Sequence, residues 1–272
     1  MLLIAYAADK RWLPPSVTRH PLIYIFSLGV YATSWSFYGS ISFAHDNGFL
    51  FLATYLGLTI AFILTPILIT PILRLVREYQ LTSLADLFAF RFRSQAVGIV
   101  VTLFTLAGIL PFISLQIQTV IESTRILTGE FPSDGTAIGF CILIVLFTAL
   151  FGTRHISPQE KHEGLIVTIA FQSLIKLIAL LMVAGFSVFG IFGGVANLEN
   201  WLAGHPEVIA EMTKPGQNGP WVSIIILGFA AAFLLPRQFH MMFTENISPK
   251  TLQHAAWGLP LFLLVLSLAI PI

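Results

Sequence analysis

Charge is what this chain has least of. Only 10% of its 272 residues are Asp, Glu, Lys or Arg, and the formal net charge is +1. Soluble domains carry about a quarter charged residues. With no basic excess there is no electrostatic footprint for a nucleic-acid partner, and none is expected. Cysteine is nearly missing too: the single Cys141 can form neither an intrachain disulfide nor a multi-cysteine metal site. Catalytic signatures fail in turn. The chain has no Gly-x-Ser-x-Gly and no P-loop, and His162-Glu163 opens like a zinc-protease motif but meets Ile166 where the second histidine belongs. No enzyme chemistry, metal or organic cofactor is expected. Short alternating segments, the mark of a membrane β-barrel, are lacking as well. What the chain does have is apolar residues, 56% of the total, with a mean hydropathy of +0.86. A soluble globule of this length must turn a large share of its residues to water. The composition therefore specifies an all-α polytopic membrane protein, whose first partner is the lipid bilayer.

Stretches of about 20 apolar residues cross a hydrocarbon core roughly 30 Å thick. Met1–Ala8 is apolar but too short, being stopped by Asp9, Lys10 and Arg11. It has neither the basic start nor the cleavage site of a signal peptide, and reads as the end of a helix that begins outside this chain. Complete spans are expected at about Pro21–Ala44, Gly48–Val76, Ala96–Thr128, Thr136–Phe151, Gly164–Gly194, Trp221–Phe243 and Thr251–Ile272. Between the second and third lies Thr82–Arg93, read as an interfacial helix. Ser83 can cap its N-terminus, and Asp86 suits the positive end of its dipole.

Loop charges support this parsing, because basic residues collect in cytoplasmic loops. One set of alternate loops holds Lys10, Arg11 and Arg19, then Arg74, Arg77, Arg91 and Arg93, then Arg154 and Lys161, then Arg237 and Lys250. The other set holds Arg125 and Lys214 beside Asp46, Glu130, Asp134, Glu199, Glu207 and Glu211. Val195–Gly219 is thus an external loop, with room for a short helix around Pro206–Met212.

Several residues inside the spans are costly or unusual. Pro111 and Pro236 each remove a backbone donor, and Gly228 is a further potential breaker. Either they merely kink their helices, or they mark the discontinuous helices with which transporters build midplane sites. The first full span carries glycines, hydroxyls and aromatics from Phe26 to Ser40. Gly29, Ala32 and Ser36 share a face, which fits a close helix–helix seam. An unwound helix offering carbonyl oxygens to a hard cation such as Na⁺ fits equally. Lys176 is the one formal charge deep inside a span, where insertion costs roughly 2.5–3.5 kcal/mol. It either reaches for an interface or joins an internal polar network with Gln172, one turn away. Thr33, Ser36, Gln116, Gln172 and Lys176 are the candidate solute-cavity residues. Glu122 and Arg125 read as a paired cap near the outer boundary.

Five stretches, in order, resemble the sodium/solute symporter family. They are Ser27–Gly39, Leu81–Phe92 (similar to the family's TSLPEYLxxRF segment), Phe112–Gln116, Phe151-Gly152-Thr153-Arg154 (similar to its GGMR turn) and Leu235-Pro236-Arg237 through Met242-Phe243. The details of Tyr31–Ser40 and Glu163–Lys176 look most like the branch fused to sensor histidine kinases. The resemblance implies a LeuT-like fold of two inverted five-helix repeats, of which residues 1–272 would hold the first repeat and the start of the second. It implies a sodium site using the backbone carbonyls of Gly29 and Ala32, completed by hydroxyls of an eighth core helix beyond this chain. Transporting members usually carry an Asp three residues before the Gln of the fifth core helix, whereas here Ile169 precedes Gln172. The function implied is a solute-sensing or transport module, with Na⁺ as coupling ion, a small solute as ligand, and a C-terminal histidine kinase and response regulator as partners in a bacterial inner membrane. The alternatives are an ordinary symporter without signalling role and a receptor that does not transport.

The charge alternation generates a topological prediction. A cysteine placed at Ile209 in a Cys141→Ala background is expected to react with a membrane-impermeant maleimide from outside the cell. Reaction only in inverted vesicles would overturn the assignment.

Overall fold

A computed structural model describes residues 4, 10, 12–18, 20–33, 36, 38–129, 134–147, 163–213, 220–246 and 248–271. The fold is all-helical, with no strand among the described residues. After a single helical turn at Pro15–Thr18, the helices in chain order are α1 (Pro21–Leu28), α2 (Gly39–Asn47), α3 (Leu52–Ile63) and α4 (Thr70–Glu78). Next come α5 (Leu84–Phe92), α6 (Gln95–Thr128) and α7 (Asp134–Phe147), followed by α8 (Glu163–Gly185), α9 (Val195–Gly204) and α10 (Pro206–Thr213). The last are α11 (Trp221–Leu234), α12 (Pro236–Phe239) and α13 (Pro249–Leu268). Four runs are long and apolar enough to cross a membrane: Gly39–Ile63, Gln95–Thr128, Ile166–Ile191 and Pro249–Leu268. Trp221–Leu234 and Pro236–Thr244, bent by 49° at their junction, make a fifth. The chain is a multi-pass membrane protein built as two compact units, Met1–Leu81 with Lys161–Ile272, and Thr82–Glu160. The motif at Phe151–Arg154 lies outside the described residues.

In the larger unit the first span is not the continuous helix over Pro21–Ala44 that hydropathy predicts. Its α-helix stops at Leu28, tightens to a 3₁₀ turn over Gly29–Tyr31 and leaves helical geometry at Ala32 (φ −72°, ψ 97°); the next described α-helix begins at Gly39. The loop expected around Asp46 is instead a junction between helical segments: α2 ends at Asn47 and a 3₁₀ turn, Gly48–Phe51, leads straight into α3. Gly48 makes this possible. Its φ of +56° favours glycine, and a Cβ there would strike the Met212 carbonyl of α10. Beyond α3, Pro66 withholds the N–H that Phe62 O would accept in a regular helix. The Thr65 hydroxyl donates to Phe62 O instead, at 2.5 Å, and the chain passes through a wide π turn, Thr65–Ile69, into α4.

The tightest packing in this unit joins α3 to α11. A Cβ on Gly57 would meet the Ile225 carbonyl, and one on Gly228 the Thr54 carbonyl. Gly228, read from the sequence as a breaker, therefore sits in unbroken helix and serves close approach, as small residues do in membrane bundles. The break comes later, where Leu235 is extended (φ −65°, ψ 129°) ahead of Pro236. A residue before proline is disfavoured in the α region. At the other end of these helices, Arg77 Nη2 donates to Asn246 O and Oδ1, at 2.7 and 2.8 Å. This contact joins two loops that the charge alternation assigns to one side. The Gly48–Met212 approach joins two that it assigns to the other.

In the smaller unit, α6 runs 34 residues straight through Pro111, so this proline interrupts nothing. Its hydroxyls fold back on their own helix: Thr102 onto Gly98 O, Thr119 onto Leu115 O, and Ser123 onto Thr119 O, at 2.9, 2.8 and 2.7 Å. Such bonds let polar side chains lie in an apolar medium. Glu122 and Arg125 pair at 3.5 Å, as their spacing predicts. At the head of α5, Ser83 Oγ accepts from Asp86 N at 3.1 Å, while Asp86 Oδ2 accepts from the Thr82 backbone N–H and hydroxyl at 3.2 and 2.8 Å. Partial burial works to raise the Asp86 carboxyl. The hydrogen bonds from Thr82 and Ser83 outweigh it and hold the group below its ordinary value.

Two predictions follow from this packing. Gly57→Leu should lower the melting temperature of the purified protein, since overpacking costs about 1–3 kcal/mol. Gly108→Leu, where an added Cβ meets nothing within 4 Å, should leave it unchanged or raise it. For Asp86, a carboxyl held low in the folded state stabilises above its unfolded value of about 3.9, and that contribution disappears as pH falls through the lower folded value. Amide protection in α5 should be level above about pH 4 and weaken below it, and Asp86→Ala should abolish the pH dependence.

Candidate functional site

The two helix breaks of the larger unit lie against each other, and the polar residues of its interior gather there. The reason begins with the backbone. In a regular helix the N–H of Ala32 would serve Leu28 O, and that of Ser36 would serve Ala32 O. In the 3₁₀ turn Ala32 N serves Gly29 O instead, at 2.9 Å, and Ser36 N serves Thr33 O at 3.0 Å. The Ala32 carbonyl is thereby released inside the protein, while Leu28 O opens the 3₁₀ turn beside it; both residues are fully buried.

Each of these two carbonyls is met by a long polar side chain from a distant helix. Gln238, fully buried on α12, donates from Nε2 to Leu28 O at 3.4 Å. Lys176, midway along α8, donates from Nζ to Ala32 O at 3.1 Å, across 144 positions of sequence. Arg237, beside Gln238, lies within electrostatic range of both Lys176 and Tyr31. Gly29 is small for a reason of packing as well: a Cβ there would press on Ser173 of α8 at 2.9 Å and on Phe262 of α13 at 3.3 Å. The close seam and the unwound helix, alternatives on the sequence, thus coincide at one glycine.

The expected cavity residues divide between the two units. Ala32, Thr33, Ser36 and Lys176 belong to the break in the larger unit, and Ser36 is buried with its hydroxyl bonded to Tyr55. Tyr55 also approaches the Ser40 hydroxyl, at 3.4 Å. Gln172 lies one turn from Lys176 on α8, yet no hydrogen bond joins the two among the described residues. Gln116 is on α6, in the smaller unit. Ser34, Trp35 and Phe37 lie outside the described residues.

Gln238 is the member of this site that sequence reasoning passed over. Its Oε1 is buried with no hydrogen-bond partner among the described residues. The available signal was Arg237-Gln238 directly after a proline inside an apolar span, two long polar side chains where lipid-facing residues belong. A second cluster fastens one end of the unit. His240 Nε2 and the buried Glu245 Oε1 lie 3.1 Å apart, and the Tyr24 hydroxyl donates to Met242 O at 3.0 Å.

No family model and no solved structure matches the chain. Among curated proteins it is similar to two from Bacillus subtilis strain 168. It is 22% identical over 249 residues to the uncharacterized symporter YhjB, covering 90% of this chain and 48% of that protein. It is 22% identical over 240 residues to the uncharacterized symporter YodF, covering 88% of this chain and 47% of that protein. The chain therefore spans about half the length of the curated relatives it matches. Helices that cross the membrane several times, two facing breaks and a distant likeness to symporters together describe a transporter-like membrane protein.

Proposed function

We propose that this chain is part of a solute-handling membrane core related to the sodium/solute symporters, and that it works as the solute-sensing or transport module of a sensor histidine kinase in a bacterial inner membrane. The observation that carries the solute-handling reading is the pair of facing breaks, where Lys176 and Gln238 reach the Ala32 and Leu28 carbonyls at the end of α1. A chain that only anchored a soluble domain would have no use for a buried ammonium at this depth, given its insertion cost. Irregular backbone inside a bilayer is tolerated where protein or a watery cavity satisfies it, and transporters place solute at such points. Thr33 and Ser36 on the first span, with Lys176 and Gln172 on α8, are the residues that would meet a small solute.

A second reading, an ordinary symporter without a kinase, draws on the two relatives, both of which carry the name symporter. A third is a receptor that binds solute without moving it. The full-length protein separates them. In proteoliposomes, uptake of radiolabelled amino acids and carboxylates is measured beside autophosphorylation from ATP. Solute-dependent phosphorylation supports the kinase branch, uptake without any phosphorylation supports the plain symporter, and phosphorylation without uptake the receptor. Lys176→Met should reduce the solute response at least tenfold at unchanged membrane expression. Unchanged response with raised expression would return Lys176 to a lipid-facing role.

A further inference from the structure

Resting on the solute-handling reading, we infer that the ammonium of Lys176 is itself the cation held by the break in α1, so that this site works without sodium. The sequence resemblance points to the carbonyls of Gly29 and Ala32 as sodium ligands, and the geometry around them can be compared with what a sodium ion requires. A hard cation needs several oxygens turned toward one point. Here three neighbouring carbonyls at the start of the break already accept from the protein. Leu28 O takes Gln238 Nε2, Gly29 O takes the Ala32 N–H, and Ala32 O takes Lys176 Nζ.

The last of these bonds decides the matter. A sodium ion on Ala32 O would sit within a few ångströms of a primary ammonium, in surroundings that screen charge poorly. Arg237 adds a second positive group in electrostatic range of the first. Among the described residues no carboxylate lies within salt-bridge distance of Lys176 to offset a second cation.

A tethered cation differs from a mobile one in what it can transmit. It cannot dissociate into the cytoplasm, so it draws no energy from a sodium gradient. It can leave Ala32 O only by swinging on its own side chain, for instance toward an anionic group of a bound solute. The break in α1 would then lose its cation when solute arrives, which couples occupancy to the conformation of this helix.

The test uses full-length protein in detergent and radioactive sodium as the probe. Wild type should show no saturable sodium binding, and its melting temperature should be the same in sodium chloride as in choline chloride at equal ionic strength. Lys176→Met removes the ammonium and keeps the length of the chain; it should gain saturable sodium binding and a sodium-specific rise in melting temperature. Lys176→Arg keeps a positive charge and should remain blind to sodium. Should the Met variant fail to fold, Lys176→Gln takes its place. Saturable sodium binding by wild type would overturn the inference, and so would its absence from both wild type and the neutral variants, since Ala32 would then be no cation seat. Neither result touches the solute-handling reading, which stands or falls on uptake and phosphorylation.

Discussion

A carbonyl oxygen released by a break in a helix has no water to turn to inside a bilayer, and this constraint organises the larger unit. Leaving such a group unpaired costs several kcal/mol, on the order of the penalty for any buried polar group without a partner. The chain meets it with side chains from far away in sequence. Gln238 reaches Leu28 and Lys176 reaches Ala32. Thr65 answers the same problem locally, covering the carbonyl that Pro66 leaves open. The break in α1 therefore persists only because α8 and α12 are in place. In turn, the polar residues on those two helices are tolerable only because α1 is broken.

Close packing makes these long reaches feasible. Glycine at 57 and 228 brings the backbones of α3 and α11 together, and glycine at 29 lets α8 come up to Ser173 contact. The bend at Leu235–Pro236 then turns Gln238 inward at the level of the α1 break. One end of the unit is fastened by polar contacts, Arg77 with Asn246 and the His240–Glu245 pair near it. A helix break held in this way has two ways of being satisfied, by the protein or by a ligand that displaces it. That is the physical requirement for a site that responds to solute.

The smaller unit obeys the same constraint by other means. Its long helix α6 is nearly all exposed and apolar, as befits a surface turned to lipid tails. Its hydroxyls bond back to their own carbonyls, one turn earlier. Thr119 is thereby satisfied within its helix. Pro111 is absorbed without a break, while Pro236, with an extended residue before it, bends its span by 49°. Proline alone does not decide which outcome occurs.

Much of this was legible in the residues themselves. Low charge and long apolar runs determine an all-helical membrane protein, because no soluble fold can hide so much apolar surface. Local chemistry determines the cap at Ser83 and Asp86, the Glu122–Arg125 pair and the anomaly at Gly29–Ser36, since each depends on neighbours a few positions apart. The expense of Lys176 is equally plain from the sequence, being a matter of one residue's depth. Its partner is not. That Lys176 meets the carbonyl of Ala32, that Gln238 covers Leu28, and that Gly228 packs rather than breaks were decided only by the tertiary structure. These contacts join helices more than a hundred residues apart, and helical periodicity carries no record of which faces will meet or which carbonyls a break will set free.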